Sequence, residues 1–423
     1  MKRIKSKAYQ VLRKTEKYTQ TDNVYLAKGG FWLAWARIMV AIGSFLTAVA
    51  FANLLDPGLY GNYKYIVSLV GILSFFTLKG FGTALGQAVP RGFEGGYYSL
   101  AKTRVKAGCL QSLGVIVLGI YYFLNGNHIL ALPLFFISFI LPFRSAFSLI
   151  ASFLPGRKNF RLSSRYQIIQ SLITNFSLIA FLLLALFFRD KSKLIVFGLV
   201  GLYFLSETIV NGILYLRIKH DLKPNRNEDP KTKKYGIHLT IVNFLGQIIQ
   251  YLDQILVFHN LGAAQLAMYT FALLPVEKLK EPMQMLSPLA LPKFSVKNPQ
   301  EIKKNLLPKI FKMLLITALA IGLYCLIAPW IFKIFFPRYV GAVTYSRIFA
   351  VSLLGGGYLI SSTALTSQMA TKKIYALEVP AALLDIFLLV GGFYWLGLLG
   401  IVLARVASEV IRTAGSLIMI RRL

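Results

Sequence analysis

The chain has 423 residues; 56% are hydrophobic, only 15% are charged, and the mean hydropathy is +0.61. A soluble domain of this length needs far more charge to cover its surface, and the segments of about ten alternating residues that mark a transmembrane barrel are missing. The formal net charge of +31 sits mostly in short segments between apolar runs, which fits the positive-inside rule of membrane proteins and gives no reason to expect a nucleic-acid partner.

Residues 1–28 are polar and basic. The apolar run that follows is too long for the h-region of a cleavable signal and lacks an A-x-A-like end. Two readings stand for this segment: a basic helix lying on the cytoplasmic face, or a disordered tail. Twelve spans then follow, at roughly 29–53, 62–88, 104–125, 128–153, 165–188, 194–216, 236–258, 265–291, 307–330, 341–368, 374–395 and 397–419. Each is long enough to cross about 30 Å of hydrocarbon as a helix. The loops test the count. About 33 basic residues fall at the termini and after even-numbered spans, against about 5 after odd-numbered ones. This alternation predicts a multi-pass protein of the plasma (inner) membrane with both termini cytoplasmic, where anionic lipid headgroups are expected partners.

The first outward turn is "NLLDPGLYGNYKY", with Asp56-Pro57-Gly58 supplying tight-turn chemistry between two spans. The longest hydrophilic loop, 217–235, reads as a cytoplasmic linker between an N-terminal six-helix bundle, 29–216, and a C-terminal one, 236–423. A shift of about 206 aligns Leu55 with Leu261, Tyr63 with Tyr269 and Tyr65 with Phe271, at the same topological position of each half. Six crossings per half make the repeats run in the same direction. The expected fold is an all-α polytopic membrane protein of about twelve transmembrane helices in two parallel-repeat bundles of six.

"LLDPGLYGNYKYIVSL" and "YLDQILVFHNLGAAQLAMYTFA" carry a resemblance. The chain resembles the multidrug/oligosaccharidyl-lipid/polysaccharide exporter superfamily, and within it the polysaccharide-flippase branch, whose O-antigen-unit-flippase-like members show L-x-P-x-x-Y/F-G-x-Y after the first helix. In the second half the match rests on Asp253, Leu261, Gly262 and Tyr269; the Pro of the first copy is absent there. The resemblance implies a transporter rather than an enzyme: a flippase for a polyprenyl-diphosphate-linked glycan, working by alternating access through a cavity lined by helices 1, 2, 7 and 8. Glycan-assembly machinery is an expected partner.

Charge inside a membrane helix is costly and points to function. Asn243, Gln247, Gln250 and Gln254 share one face of helix seven, with Asp253 at its edge. Hydrogen bonding between helices also uses such amides. The repeat shift carries Asn243 onto Arg37, Gln250 onto Ser44 and Asp253 onto Thr47. Arg37 could hold a diphosphate by paired hydrogen bonds, or snorkel to headgroups. In helix eight, Glu277, Lys278, Lys280 and Glu281 lie between Pro275 and Pro282, where a broken helix lining a cavity is expected, with Lys280 pairing to Glu277. Lys79 of helix two adds a cation. The expected substrate-binding set is thus Arg37, Ser44, Lys79, Asn243, Gln247, Gln250, Gln254, Lys278 and Lys280. Asp253, Glu277 and Glu281 are the candidates for a coupling proton or sodium ion.

Arg144, Glu207, Asp385, Arg405 and Glu409 are also intramembrane; the resemblance implies that their helices pack outside the central cavity, where structural pairs or headgroup contacts are expected. Cys109 and Cys325 read as small buried hydrophobes. The four His residues are scattered, and "GGG" at 355–357 follows no strand and precedes no Lys-Ser/Thr. No catalytic residue, metal site or cofactor is expected. Two rivals remain: a cation-coupled multidrug exporter of the same superfamily, with a more anionic cavity, and a membrane-embedded glycan polymerase or transferase.

Overall fold

The computed structural model describes residues 23–188, 190–284, 299–367 and 371–421. The basic segment up to residue 22 and the stretch 285–298 lie outside them. Among the described residues every regular element is helical. In chain order the α-helices are α1 (Asn23–Leu54), α2 (Pro57–Leu73), α3 (Gly80–Ala88), α4 (Gly96–Leu124), α5 (His128–Ser138), α6 (Leu141–Phe147), α7 (Ile150–Gly156) and α8 (Phe160–Ala185). They continue as α9 (Ser192–Arg217), α10 (Pro230–Val242), α11 (Phe244–Leu261), α12 (Ala263–Gln284), α13 (Pro299–Phe335), α14 (Val343–Ala350), α15 (Gly356–Ser367) and α16 (Thr371–Arg421).

Among the described residues seven helical stretches are long and apolar enough to cross a membrane, and three bent pairs raise the number to ten. The bends are 51° between Pro57–Thr77 and Gly80–Arg91, 53° between His128–Ser138 and Leu141–Gly156, and 42° between Pro230–Val242 and Phe244–Leu261. Two more spans complete twelve. One is α12, whose charged residues keep it below that apolarity. The other comes from α16, which breaks at Gly397, where φ is +57°. A positive φ suits glycine, so the break is a turn between two crossings. The described spans overlap those placed from the sequence, the ends of the eighth (285–291) and tenth (368) lying outside the described residues, and the protein is a multi-pass, all-α membrane protein.

Local chemistry fixes the span boundaries. Pro57 stands at the first position of α2, and the Asp56 carboxylate accepts the Gly58 amide at 2.8 Å, satisfying a free N–H of the helix start. Asn127, Asn159 and Asp229 cap α5, α8 and α10 in the same way. Gly262, at φ +86°, closes α11 by donating its amide to Phe258 O at 2.9 Å. Contrary to expectation, α12 stays helical through Pro275 and Pro282. Cys109 is exposed and Cys325 half-buried, so neither is the buried small hydrophobe the sequence suggested.

Contacts divide the chain into two compact units whose limits do not follow the linker at 217–235. The first joins Leu73–Asn243 to the chain up to Ala48; the second joins Val49–Ile72 to Phe244–Leu423. In the first, the core of Phe81, Leu85, Tyr97, Leu149, Phe153 and Leu214 knits α3 to its neighbours. Gly80 packs directly on α10 and donates its amide to Thr240 Oγ1 at 3.1 Å. At the break of span two, buried Arg104 donates to Thr77 O at 2.8 Å and to Ser148 Oγ at 3.1 Å, satisfying a carbonyl that the break leaves without a helical partner. Arg144 binds Glu207 at 2.6 Å, the structural pair expected.

A polar clasp fastens the linker to this unit. Arg157 holds both Glu94 carboxylate oxygens at 2.5 Å and donates to Leu222 O at 2.9 Å. Asn225 receives the Glu94 amide at 3.2 Å and returns its own amide to Glu94 Oε2 at 3.1 Å. Gly95 donates to Asn227 O at 2.9 Å, and Arg91 reaches Asp229 at 3.0 Å. The Arg157 guanidinium, with the Asn225 amide, holds the Glu94 carboxyl below the usual carboxylate range. A lowered native pKa adds stability that is fully present above the unfolded value and vanishes as pH falls through the native one. We therefore expect the linker to resist trypsin at Arg226 and Lys231 at neutral pH. Glu94→Gln should speed that cleavage about tenfold with the bundle still folded, and in the wild type the clasp should open only below the ordinary carboxylate range, read by pulse-proteolysis after acid exposure.

Candidate functional site

The second unit holds a cavity of about 380 Å³ built from five spans. Gly246, Ile249 and Gln250 come from α11, and Lys280, Met283 and Gln284 from α12. Gly355, Gly356, Tyr358 and Leu359 line it from the start of α15, and Asp385, Leu389, Arg405, Ser408, Glu409 and Arg412 from the two limbs of α16. Ionised groups surround this cavity within helices that read as membrane spans. Each such group must be paired, because an isolated charge there is costly.

The pairing is extensive. Arg405 grips Asp253 Oδ2 at 2.6 and 2.9 Å, and donates to Ile249 O at 3.2 Å. Asp253 is fully buried; it also accepts the Tyr269 hydroxyl and the Gln254 amide, the latter at 2.7 Å. Lys280 binds Glu409 at 3.0 Å. Arg412 bonds to Asp385, which also accepts the Ser408 hydroxyl, and lies 3.6 Å from Glu378. Tyr358 donates to Glu378 and carries the Arg412 guanidinium 5.8 Å above its ring. The glycine run follows from this crowding. A Cβ on Gly355 would stand 2.3 Å from Glu409 Oε2, so only glycine leaves room for that carboxylate.

The sequence-derived set divides across the molecule. Gln250 and Lys280 line the cavity, and Asp253 stands behind it, held by Arg405. Gln247 and Gln254 instead bond to α2: Gln247 donates to Gly71 O at 3.1 Å, and Gln254 accepts from Ser68 Oγ at 2.6 Å. These two amides therefore join helices. Asn243 sits in the bend between α10 and α11 and bonds to Leu239 O of its own helix at 2.9 Å. Ser44 likewise bonds to Ala41 O of its own helix, at 3.0 Å. Arg37 is exposed on α1 and has no hydrogen bond or ion pair among the described residues. Lys79 is exposed at the break before α3.

Helix eight needs correction at one point. Lys280 does not pair with Glu277; it pairs with Glu409, while Lys278 takes Glu281 at 2.7 Å. Glu277 is exposed and makes no hydrogen bond or ion pair among the described residues. Asp385, Arg405 and Glu409 form ion pairs, as expected of them, with Arg412, Asp253 and Lys280, and all three line this cavity of the second unit. Arg412, Glu378, Tyr358 and the glycines at 355–356 were not singled out as site residues. The signal available was the recurrence of Arg405, Glu409 and Arg412 at 4 and 3 residue steps on one face of the last span.

The same architecture occurs in solved structures. The chain superposes on one described as "Lipid II flippase MurJ, inward closed conformation" with a TM-score of 0.67 at 13% identity, covering 92% of this chain and 87% of that one. A multidrug resistance MATE family transporter of the MOP superfamily, inward-facing, matches with a TM-score of 0.62 at 12% identity over 89% of this chain and 93% of that one. A MATE protein crystallised with MaD5 matches at 0.57, again at 12% identity, over 92% and 96%. At such identities the likeness is one of fold. No curated protein sequence matches. The sequence pattern of one family, described as "Polysaccharide biosynthesis protein", covers residues 26–277, more than half of the chain. With this match over more than half of its length, the chain belongs to the polysaccharide biosynthesis protein family.

Proposed function

We propose that this protein is a flippase that moves a polyprenyl-diphosphate-linked oligosaccharide from the cytoplasmic to the outer leaflet of the plasma membrane by alternating access, with both termini in the cytoplasm. The observation that carries the reading is the cavity lining, where Lys280, Arg405 and Arg412 stand in the interior of a membrane bundle. A diphosphate is a multiply charged anion that takes forked or paired hydrogen bonds from such groups. Lys280 and Arg412 are held by Glu409 and by Asp385 with a looser Glu378, so an entering anion can exchange with resident carboxylates rather than meet bare charge. Arg37, exposed and without an ion pair among the described residues, suits a first capture point at the membrane surface.

Among the three candidate coupling carboxylates, Glu277 is the one left without a hydrogen bond or ion pair among the described residues, and we assign it the exchangeable proton or sodium ion. Asp253, clasped by Arg405 and Tyr269, serves the fold instead. Three cations in the lining, Lys280, Arg405 and Arg412, stand against two carboxylates, Asp385 and Glu409, and this balance supports an anionic cargo over the cationic drugs of a multidrug exporter.

The test is a flipping assay in proteoliposomes containing a fluorescent lipid-linked oligosaccharide. Lys280→Gln and the paired Arg412→Gln/Asp385→Asn, which strands no buried carboxylate, should each lower the rate about tenfold, the worth of one charge-assisted contact, with an unchanged size-exclusion profile. Wild-type rates in both variants, or efflux of a cationic dye that both variants retain, would overturn the reading.

A further inference from the structure

Glu277 shares one face of α12 with Lys280 and Gln284 of the charged cavity, which follow it by three and seven residues. Within its electrostatic reach are three cations, Lys64, Arg405 and Lys280, and the Asp253 carboxylate. Two of those cations are already engaged, Arg405 by Asp253 and Lys280 by Glu409. Lys278, which also acts on Lys64, is engaged by Glu281. The Lys64 ammonium makes no hydrogen bond or ion pair among the described residues; the Tyr60 ring lies near it, with its centre 6.0 Å from Nζ. Tyr60, Lys64 and Ser68 recur every four residues along one face of α2. Tyr60 and Ser68 are 2% and 0% exposed; Tyr60 packs on Phe271 of α12 at 4.8 Å, and Ser68 donates to Gln254 of α11 at 2.6 Å. Lys64, between them and half-buried, therefore faces α11 and α12 inside the second unit. A cation held there without a counter-ion is costly, which marks it as a group that meets one in use.

We propose that Lys64 is a contact for the anionic head of the cargo, made available by a proton on Glu277. It rests on the flippase reading and on Glu277 as the coupling carboxylate. With Glu277 ionised, the carboxylate offsets the Lys64 charge and repels an approaching anion. With Glu277 protonated, Lys64 has no competing carboxylate and adds an arm to the cation set of the charged cavity. Proton and anion then favour each other's binding, and by linkage each raises the affinity for the other by the same factor. The proton also removes one charge from the assembly that has to cross the low-dielectric interior.

The test is anion binding at successive pH values. The full-length protein in nanodiscs is titrated with methanedisulfonate, a stand-in for the diphosphate whose own charge stays fixed, from about pH 8 to about pH 4. Wild-type binding should tighten about tenfold toward acid, the worth of one linked unit of carboxylate titration. Glu277→Gln should bind at the tight limit throughout, and Lys64→Gln at the weak limit throughout. The double variant should match Lys64→Gln, because Glu277 acts through Lys64. Lys64→Arg, which keeps the cation, should restore the pH dependence. A lysine with only a structural role would change affinity at every pH alike, so a wild-type pH dependence in Lys64→Gln or in Glu277→Gln overturns the proposal and leaves the flippase reading standing. If Lys280→Gln binds the dianion as tightly as the wild type at every pH, the flippase reading itself fails.

Discussion

Arg405→Ala is expected to cost about 3–5 kcal/mol of stability, the usual penalty for stranding one partner of a buried ion pair. Asp253 is 0% exposed, and Arg405 provides two of the contacts on its Oδ2, at 2.6 and 2.9 Å. Without the guanidinium, a carboxylate remains inside the bundle with a phenol and one amide. In a detergent-purified protein this appears as a large fall in Tm and loss of the monodisperse peak. Arg405→Lys should recover only part of the loss, since an ammonium cannot reproduce the fork or keep the bond to Ile249 O. The pair Asp253→Asn with Arg405→Gln should be markedly more stable than Arg405→Ala, because no uncompensated charge is left. If Arg405→Ala melts like the wild type, Asp253 is not held as an ion in the folded protein, and its exclusion from coupling falls with it.

Much of this architecture was legible in the sequence because the relevant signals are local. A span is a length of apolar residues, and Asp56-Pro57-Gly58 or Asn260-Leu261-Gly262 ends one by chemistry confined to a few neighbours. The amide face of α11 was legible as a face for the same reason. What each amide meets was not. Gln247 and Gln254 find α2, and Gln250 finds the cavity, because helices distant in sequence pack beside them. Lys280 illustrates the limit. Glu277–Lys280 and Lys278–Glu281 have the same spacing, and only the second forms, because the last span brings Glu409 to Lys280. Asp385, Arg405 and Glu409 were legible as pair-forming ions, and which partners they take was hidden for want of that tertiary information. The division into units hides from sequence in the same way. Val49–Ile72 joins the second unit through packing of α2 on α11 and α12, which no linker composition announces.

Gly61→Ala is expected to be among the most damaging single-methyl additions in the protein. An added Cβ would lie 1.9 Å from Ala263 O, 2.4 Å from its carbonyl carbon and 2.7 Å from its Cα. These are backbone atoms at the start of α12, so no side-chain rotation relieves the clash and the two helices must separate. Overpacking against movable side chains costs about 1–3 kcal/mol; against backbone the upper end or beyond is expected. The surrounding contacts would suffer together: Tyr60 packs on Phe271 at 4.8 Å, Tyr63 stacks on Phe51 at 5.3 Å, and Tyr65 stacks on Phe258 at 3.6 Å. Gly58, three residues earlier in the same motif, is the control. Its added Cβ meets only Asp56 Oδ1, at 3.1 Å, a side-chain atom at a turn, so Gly58→Ala should stay within about 0.5 kcal/mol of wild type. Thermal unfolding of the two purified variants reads the difference. Equal melting would mean that α2 and α12 do not cross this closely. A selective loss in Gly61→Ala would assign the Tyr-Gly-x-Tyr stretch to holding the first hairpin against α11 and α12, and leave recognition of the cargo to the charged cavity.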